Sequence, residues 1–145
     1  MKTLYIQNQD NLSMPNVMLD VASGKCEISG NSYMENACNF YHQILDWLAT
    51  YIQQRQGALS WDIRLGYYNS SSKKGLTSII RQLSDYHSEG GRVIINWYYH
   101  QDDLDVLEDI EDLIEYYQFR INAITYPTTY QETWLRKPQK APIIN

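Results

Sequence analysis

Leu59-Ser60-Trp61-Asp62-Ile63-Arg64-Leu65, continued by Tyr67-Tyr68-Asn69-Ser70-Ser71-Ser72-Lys73-Lys74-Gly75, contains the change of period on which the fold turns. In the first half Leu59, Trp61, Ile63 and Leu65 alternate with polar neighbours, the pattern of a strand covered on one face. Beyond the serines Leu76, Ile79, Ile80 and Leu83 recur at three- and four-residue steps, which predicts a helix. Gly90-Gly91 stops that helix, and Val93-Ile94-Ile95-Asn96-Trp97-Tyr98, short and β-branched, reads as a buried strand. A strand, helix, strand unit of this kind implies a right-handed crossover between parallel strands.

The same alternation extends outward. Upstream, Ala37, Phe40, Tyr41, Ile44, Leu45, Leu48, Tyr51 and Ile52 stack on one helical face. Before them, Pro15–Asp20 and Lys25–Gly30 are short runs joined by Val21-Ala22-Ser23-Gly24, which suggests a hairpin. Downstream, Leu104, Leu107, Ile110, Leu113, Ile114 and Tyr117 make a third amphipathic helix, and Phe119–Ala123 is the candidate last strand. The expected fold is α/β, a small mixed, mostly parallel sheet packed with helices in one domain over residues 1–126. Residues 127–145, with three prolines and little periodicity, form an irregular or docking extension.

Composition removes several classes of function. A chain of 145 residues with 43% hydrophobic side chains has enough to bury for one core. The formal net charge of −5 disfavours nucleic acid, because releasing counterions from phosphates needs a basic face. No apolar stretch approaches the roughly 20 residues that cross a bilayer, and the N-terminus turns polar too early for a secretory signal. A cytoplasmic location without membrane contact is expected. Cys26 and Cys38 have no CxxC spacing and no histidine placed to complete a zinc site with them, so they read as reduced thiols, and neither metal nor other cofactor is expected. The acidic run Gln101–Asp112 lacks the central glycine and terminal glutamate of a calcium loop, and reads as a solvated helix start. A protein or a small molecule remains as partner.

Asn69-Ser70-Ser71-Ser72-Lys73-Lys74-Gly75, between a strand and a helix, is the most informative segment. Asn and Ser are helix-capping residues, since their side-chain oxygens satisfy free first-turn N–H groups. The same geometry favours a phosphate on one of these serines, because a helix N-terminus offers unpaired donors and partial positive charge. Lys73 and Lys74 oppose the helix dipole but become favourable beside a phosphate. A serine-hydrolase reading needs an elbow such as GxSxG with a supporting histidine, and neither the elbow nor a reason for His42, His87 or His100 to converge is present. No GxxxxGKS or GxGxxG marks a nucleotide site. Tyr67, Tyr68, Tyr98 and Tyr99 fall at neighbouring strand ends, either capping the sheet or offering anchors to a partner.

These motifs, taken together, resemble the SiaC family of bacterial regulatory phosphoproteins over about Ser29 to Phe119. The likeness rests on Gly30-Asn31-Ser32-Tyr33-Met34-Glu35-Asn36-Ala37, on Ile44-Leu45-Asp46-Trp47-Leu48 and on Tyr68-Asn69-Ser70-Ser71-Ser72-Lys73. Asn96-Trp97-Tyr98-Tyr99 with Asp102-Asp103-Leu104-Asp105 completes it. The resemblance implies a fold like that of STAS domains and anti-sigma factor antagonists, and a non-enzymatic role in partner-switching signal transduction. It implies phosphorylation by a serine/threonine protein kinase, reversal by a PP2C-type phosphatase, and binding of the unmodified form to a diguanylate cyclase, with cyclic di-GMP and biofilm control as output. The acceptor maps onto Ser70, where serine replaces the family's threonine, with Ser71 and Ser72 as alternates. Asn69, Lys73 and Lys74 would support the phosphate, and Tyr68, Asn69, Ser70 and Ser71 would meet the partner. Met34 stands where the family has proline. The rival readings are a small-ligand domain or enzyme using the Ser70–Ser72 cluster with His100, and an unmodified structural adaptor.

Overall fold

A computed structural model describes residues 1–126. In chain order the elements are β1 (Leu4–Ile6), β2 (Asn16–Leu19), β3 (Lys25–Ser32), α1 (Ala37–Gln54), β4 (Leu59–Tyr68), α2 (Ser70–Ser88), β5 (Val93–His100), α3 (Leu104–Tyr117) and β6 (Asn122–Tyr126). They form a six-stranded sheet in sequential order, β1-β2-β3-β4-β5-β6. The joins β1–β2 and β2–β3 are antiparallel, and the joins β3–β4, β4–β5 and β5–β6 are parallel. Three successive right-handed crossovers stepping the same way along a sheet put their helices on the same face.

Burial follows from that arrangement. On β4, Leu59, Trp61, Ile63 and Leu65 are buried beneath the helices while Ser60, Asp62 and Arg64 between them are only half-buried. Register places Cys26 and Ile28 of β3 beside Trp61 and Ile63, and Ile95 and Trp97 of β5 on the other side. Onto this layer pack Tyr41, Ile44 and Leu48 of α1, Leu76, Ile79, Ile80 and Leu83 of α2, and Val106, Ile110 and Leu113 of α3. The face away from the helices carries a polar ladder. Asn122 Nδ2 donates to Asn96 Oδ1 at 3.0 Å, Asn96 Nδ2 donates to Asp62 Oδ1 at 3.1 Å, and the Arg64 guanidinium lies 3.8 Å from the centre of the Tyr98 ring.

The expected hairpin is β2–β3, and the expected helices are α1, α2 and α3. β1 was not foreseen. The last strand differs from expectation: it begins at Asn122, not Phe119. α3 ends on Gln118 in the left-handed region (φ 51°), after which Phe119 and Ile121 are buried as a plug, with Phe119 against the His87 ring. Their alternation looks like a strand although only Asn122 onward joins the ladder with β5. The extension at 127–145 lies outside the described residues. No described helix is long and apolar enough to cross a membrane.

Candidate functional site at the start of α2

β4 runs to Tyr68 and α2 begins at Ser70, so the whole strand-to-helix change falls on Asn69, which stays extended. Asn69 Oδ1 accepts the Ser72 N–H at 2.9 Å, and the Lys73 N–H closes the first turn on Asn69 O. The N–H groups of Ser70 and Ser71 precede that first helical bond, so the helix cannot satisfy them itself. No acidic side chain stands in the first turn to offset the positive end of the dipole.

The three serines differ in depth. Ser70 is exposed and Ser71 half-buried, whereas Ser72 is wholly buried. Ser71 Oγ reaches toward Met34 O at 3.5 Å and Asn69 Oδ1 at 3.4 Å. Ser72 Oγ accepts from Ser32 Oγ at 2.7 Å, and Ser32 Oγ also shares a hydrogen bond with Tyr41 OH at 2.8 Å. Burial pushes the Tyr41 phenol up to about 12. Ser72, carried forward as an alternate acceptor, is therefore a core side chain out of reach of a kinase while the domain is folded. Its place on the apolar stripe, four residues before Leu76, is the sequence signal that reveals this.

The end of β3 and the turn after it hold the start of α2 in place. The Asn69 N–H donates to Ser32 O at 3.0 Å and Asn69 Nδ2 donates to Met34 O at 3.3 Å. Buried Asn31 accepts the Tyr67 N–H at 2.9 Å. Tyr33 and Tyr67, both exposed, face each other with ring centres 6.0 Å apart. Sequence reasoning named Tyr67 but missed Asn31 and Tyr33, although both lie in the Gly30–Ala37 motif.

The predicted supporting residues divide. Lys73 Nζ donates to Asp109 Oδ1 of α3 at 2.8 Å, and Tyr68 OH donates to Asp109 Oδ2 at 2.7 Å. Burial first, and the neighbouring Asp109 carboxylate next, drive the Tyr68 phenol far above its ordinary value, while the Asp109 hydrogen bond raises Lys73. Tyr68 is thus half-buried against Trp97 and engaged internally, and its phenol is not free for a partner. Lys74 is exposed. Tyr98 lies on the open sheet face and Tyr99 packs against the core, so of the four named tyrosines only Tyr67 is strongly exposed.

Between α2 and α3 an open groove of about 560 Å3 is lined by Lys73, Thr77, Asp109, Asp112, Leu113 and Tyr116, among others. The histidines lie elsewhere. His42 pairs with Asp46 on α1, His87 sits in the last turn of α2, and His100 Nδ1 accepts the Asp102 N–H at 3.0 Å. Among the described residues no hydrogen bond joins a histidine to Ser70, Ser71 or Ser72, and no group of His, Cys, Asp and Glu side chains is arranged to hold a metal. Cys26 is buried, with its thiol pushed well up by desolvation, and Cys38 is exposed.

Residues 6–126 match the SiaC family of regulatory phosphoproteins. An uncharacterised protein of Pseudomonas aeruginosa (strain UCBPP-PA14) is 32% identical over 103 residues, 71% of this chain and 82% of that one. The crystal structure of apo-SiaC from P. aeruginosa superposes with a TM-score of 0.72 at 28% identity, covering 88% of this chain and all of that one. The crystal structure of the P. aeruginosa diguanylate cyclase SiaD in complex with its activator SiaC gives 0.77 at 29% identity, over 85% of this chain and 99% of that one.

Proposed function

The chain belongs to the SiaC family of regulatory phosphoproteins, and from that premise we propose that it is a cytoplasmic, non-catalytic switch whose unmodified form binds and activates a diguanylate cyclase. Ser70 is the phospho-acceptor, with Ser71 as the alternate. A serine/threonine kinase adds the phosphate and a PP2C-type phosphatase removes it. The observation that carries this reading is the exposed residue Ser70 at the first position of α2, on a first turn without an acidic side chain.

The physical basis is local charge. A phosphate adds about −1.5 to −2 charges at neutral pH, and the free N–H groups and positive dipole end of α2 stabilise it where it forms. Asn69, Ser70 and Ser71, with the exposed Tyr67 and Tyr33 rings beside them, form the partner-facing surface. Aromatic rings at such a position anchor protein interfaces. Leaving a phosphate unpaired inside that interface costs several kcal/mol, and each ~1.4 kcal/mol weakens binding tenfold. One phosphate is then enough to dissolve the complex without refolding the domain.

Two measurements test the proposal. Incubation with the cognate kinase and ATP, read by intact mass and peptide mapping, is expected to put a single phosphate on Ser70; a phosphate mapped to another segment would remove Ser70 as acceptor. In a pull-down with the cyclase, Ser70→Ala should bind as the parent does and Ser70→Asp should lose binding. Equal capture by all three proteins would overturn the switch.

A further inference from the structure

Lys73 occupies two neighbourhoods at once. Its ammonium is bound to Asp109 of α3, and that pair is the one polar side-chain bond between α2 and α3 among the described residues. Lys73 also lies three residues after Ser70 in the same helix, and side chains at that spacing share a face with Cβ atoms about 5–6 Å apart. Asp109 in turn holds Tyr68, the last residue of β4, through its other oxygen. A single carboxylate thereby ties α2, α3 and the end of β4 together beside the start of α2.

From this geometry we infer that phosphate on Ser70 takes Lys73 from Asp109, so that modification at the start of α2 loosens α3. The inference rests on the Ser70 reading above and adds what the phosphate does inside the domain. A dianion three residues away outcompetes a single carboxylate for the same ammonium, and Lys73, with its side chain about half exposed, is free to swing. Asp109 then keeps only the Tyr68 hydroxyl. Its neighbours on α3 are Asp105, Glu108 and Asp112, and α3 carries no basic side chain to replace the lost cation. The groove between α2 and α3, lined by both Lys73 and Asp109, changes its charge at the same moment. The switch is therefore displayed on α3 as well as at the serine.

The test uses the full chain with phosphoserine genetically encoded at position 70, so that no kinase is needed. Hydrogen exchange of the α3 amides is compared with that of the unmodified chain. Exchange in α3 should rise by about threefold or more, the effect of losing an ion pair of ordinary strength. Lys73→Met alone should reproduce the rise, phosphoserine should add nothing further in that background, and Lys74→Met should leave the phosphoserine effect intact. The inference is overturned if phosphoserine leaves α3 unchanged while Lys73→Met loosens it, because the lysine then stays with Asp109. It is overturned equally if Lys73→Met has no effect, or if the phosphoserine effect survives in Lys73→Met or vanishes in Lys74→Met. Failure of Ser70 as the kinase's acceptor is read separately, from the mapped phosphosite.

Discussion

Asn69 does four things with one short side chain and its backbone: it ends β4, starts α2, caps the Ser72 N–H and reaches Met34 O. Asn69→Ala should cost about 1 kcal/mol of stability, the usual loss of a helix cap, seen as a lower urea midpoint with an unchanged slope. The buried hydroxyls next to it make a different prediction. Tyr41 has its phenol raised to about 12 by burial, against about 10 in an unfolded chain. Because the native state keeps the proton that the unfolded state loses, stability is fully present below about pH 10 and declines as pH rises to about 12. Tyr51 and Tyr68 are raised in the same direction and steepen the decline. Urea unfolding followed from pH 8 to 11.5 should therefore show a plateau and then a fall, and Tyr41→Phe should make the fall shallower. A flat alkaline limb would mean that the Tyr41 hydroxyl meets water.

Helices α1 and α2 approach closely at Gly75, where an added Cβ would lie 2.3 Å from the Tyr41 ring. On propensity alone Gly75→Ala in the second turn of a helix should stabilise by up to about 1 kcal/mol. Overpacking against a fully buried ring costs about 1–3 kcal/mol, so the net sign should be destabilising, with a lower melting temperature and disturbed Tyr41 packing by near-UV circular dichroism. A rise in stability would show that the ring has room to move. At this scale the sequence was most readable where a period changes sharply: the alternation through Leu65 and the helical stripe from Leu76 bracket the Asn69 boundary closely. β1 escaped because three residues are too few to show a period, and β6 was misplaced because buried Phe119 and Ile121 alternate like a strand while serving as a plug. Ser72 was legible in principle, being in phase with Leu76, Ile79 and Leu83. The Lys73–Asp109 pair was not, since it joins positions 36 apart and exists only because successive crossovers set α2 beside α3.

Over the whole molecule the parallel pairing of β4, β5 and β6 brings their ends to the same edge, with the starts of α2 and α3 following directly from β4 and β5. The surface around Asn69 and Ser70 has its support elsewhere, in the apolar layer between helices and sheet. That separation allows binding and stability to be altered independently, and it leads to a prediction about the intact protein. A phosphate over the positive end of α2 gains about 0.3–1 kcal/mol from the dipole, and losing one exposed ion pair gives back a similar amount. The melting temperature of the phosphoserine-70 protein should thus stay within about 4 °C of the parent, given that ~1 kcal/mol moves a domain of this size by about 2–8 °C. Under the proposed function, affinity for a diguanylate cyclase should fall by about a hundredfold or more in the same preparation, since ~3 kcal/mol of uncompensated charge in an interface suffices for that. Calorimetric melting and equilibrium binding on one sample check both halves. A drop of about 10 °C or more would mean that the phosphate opens the domain, and loss of binding would then follow from unfolding instead of charge at the interface.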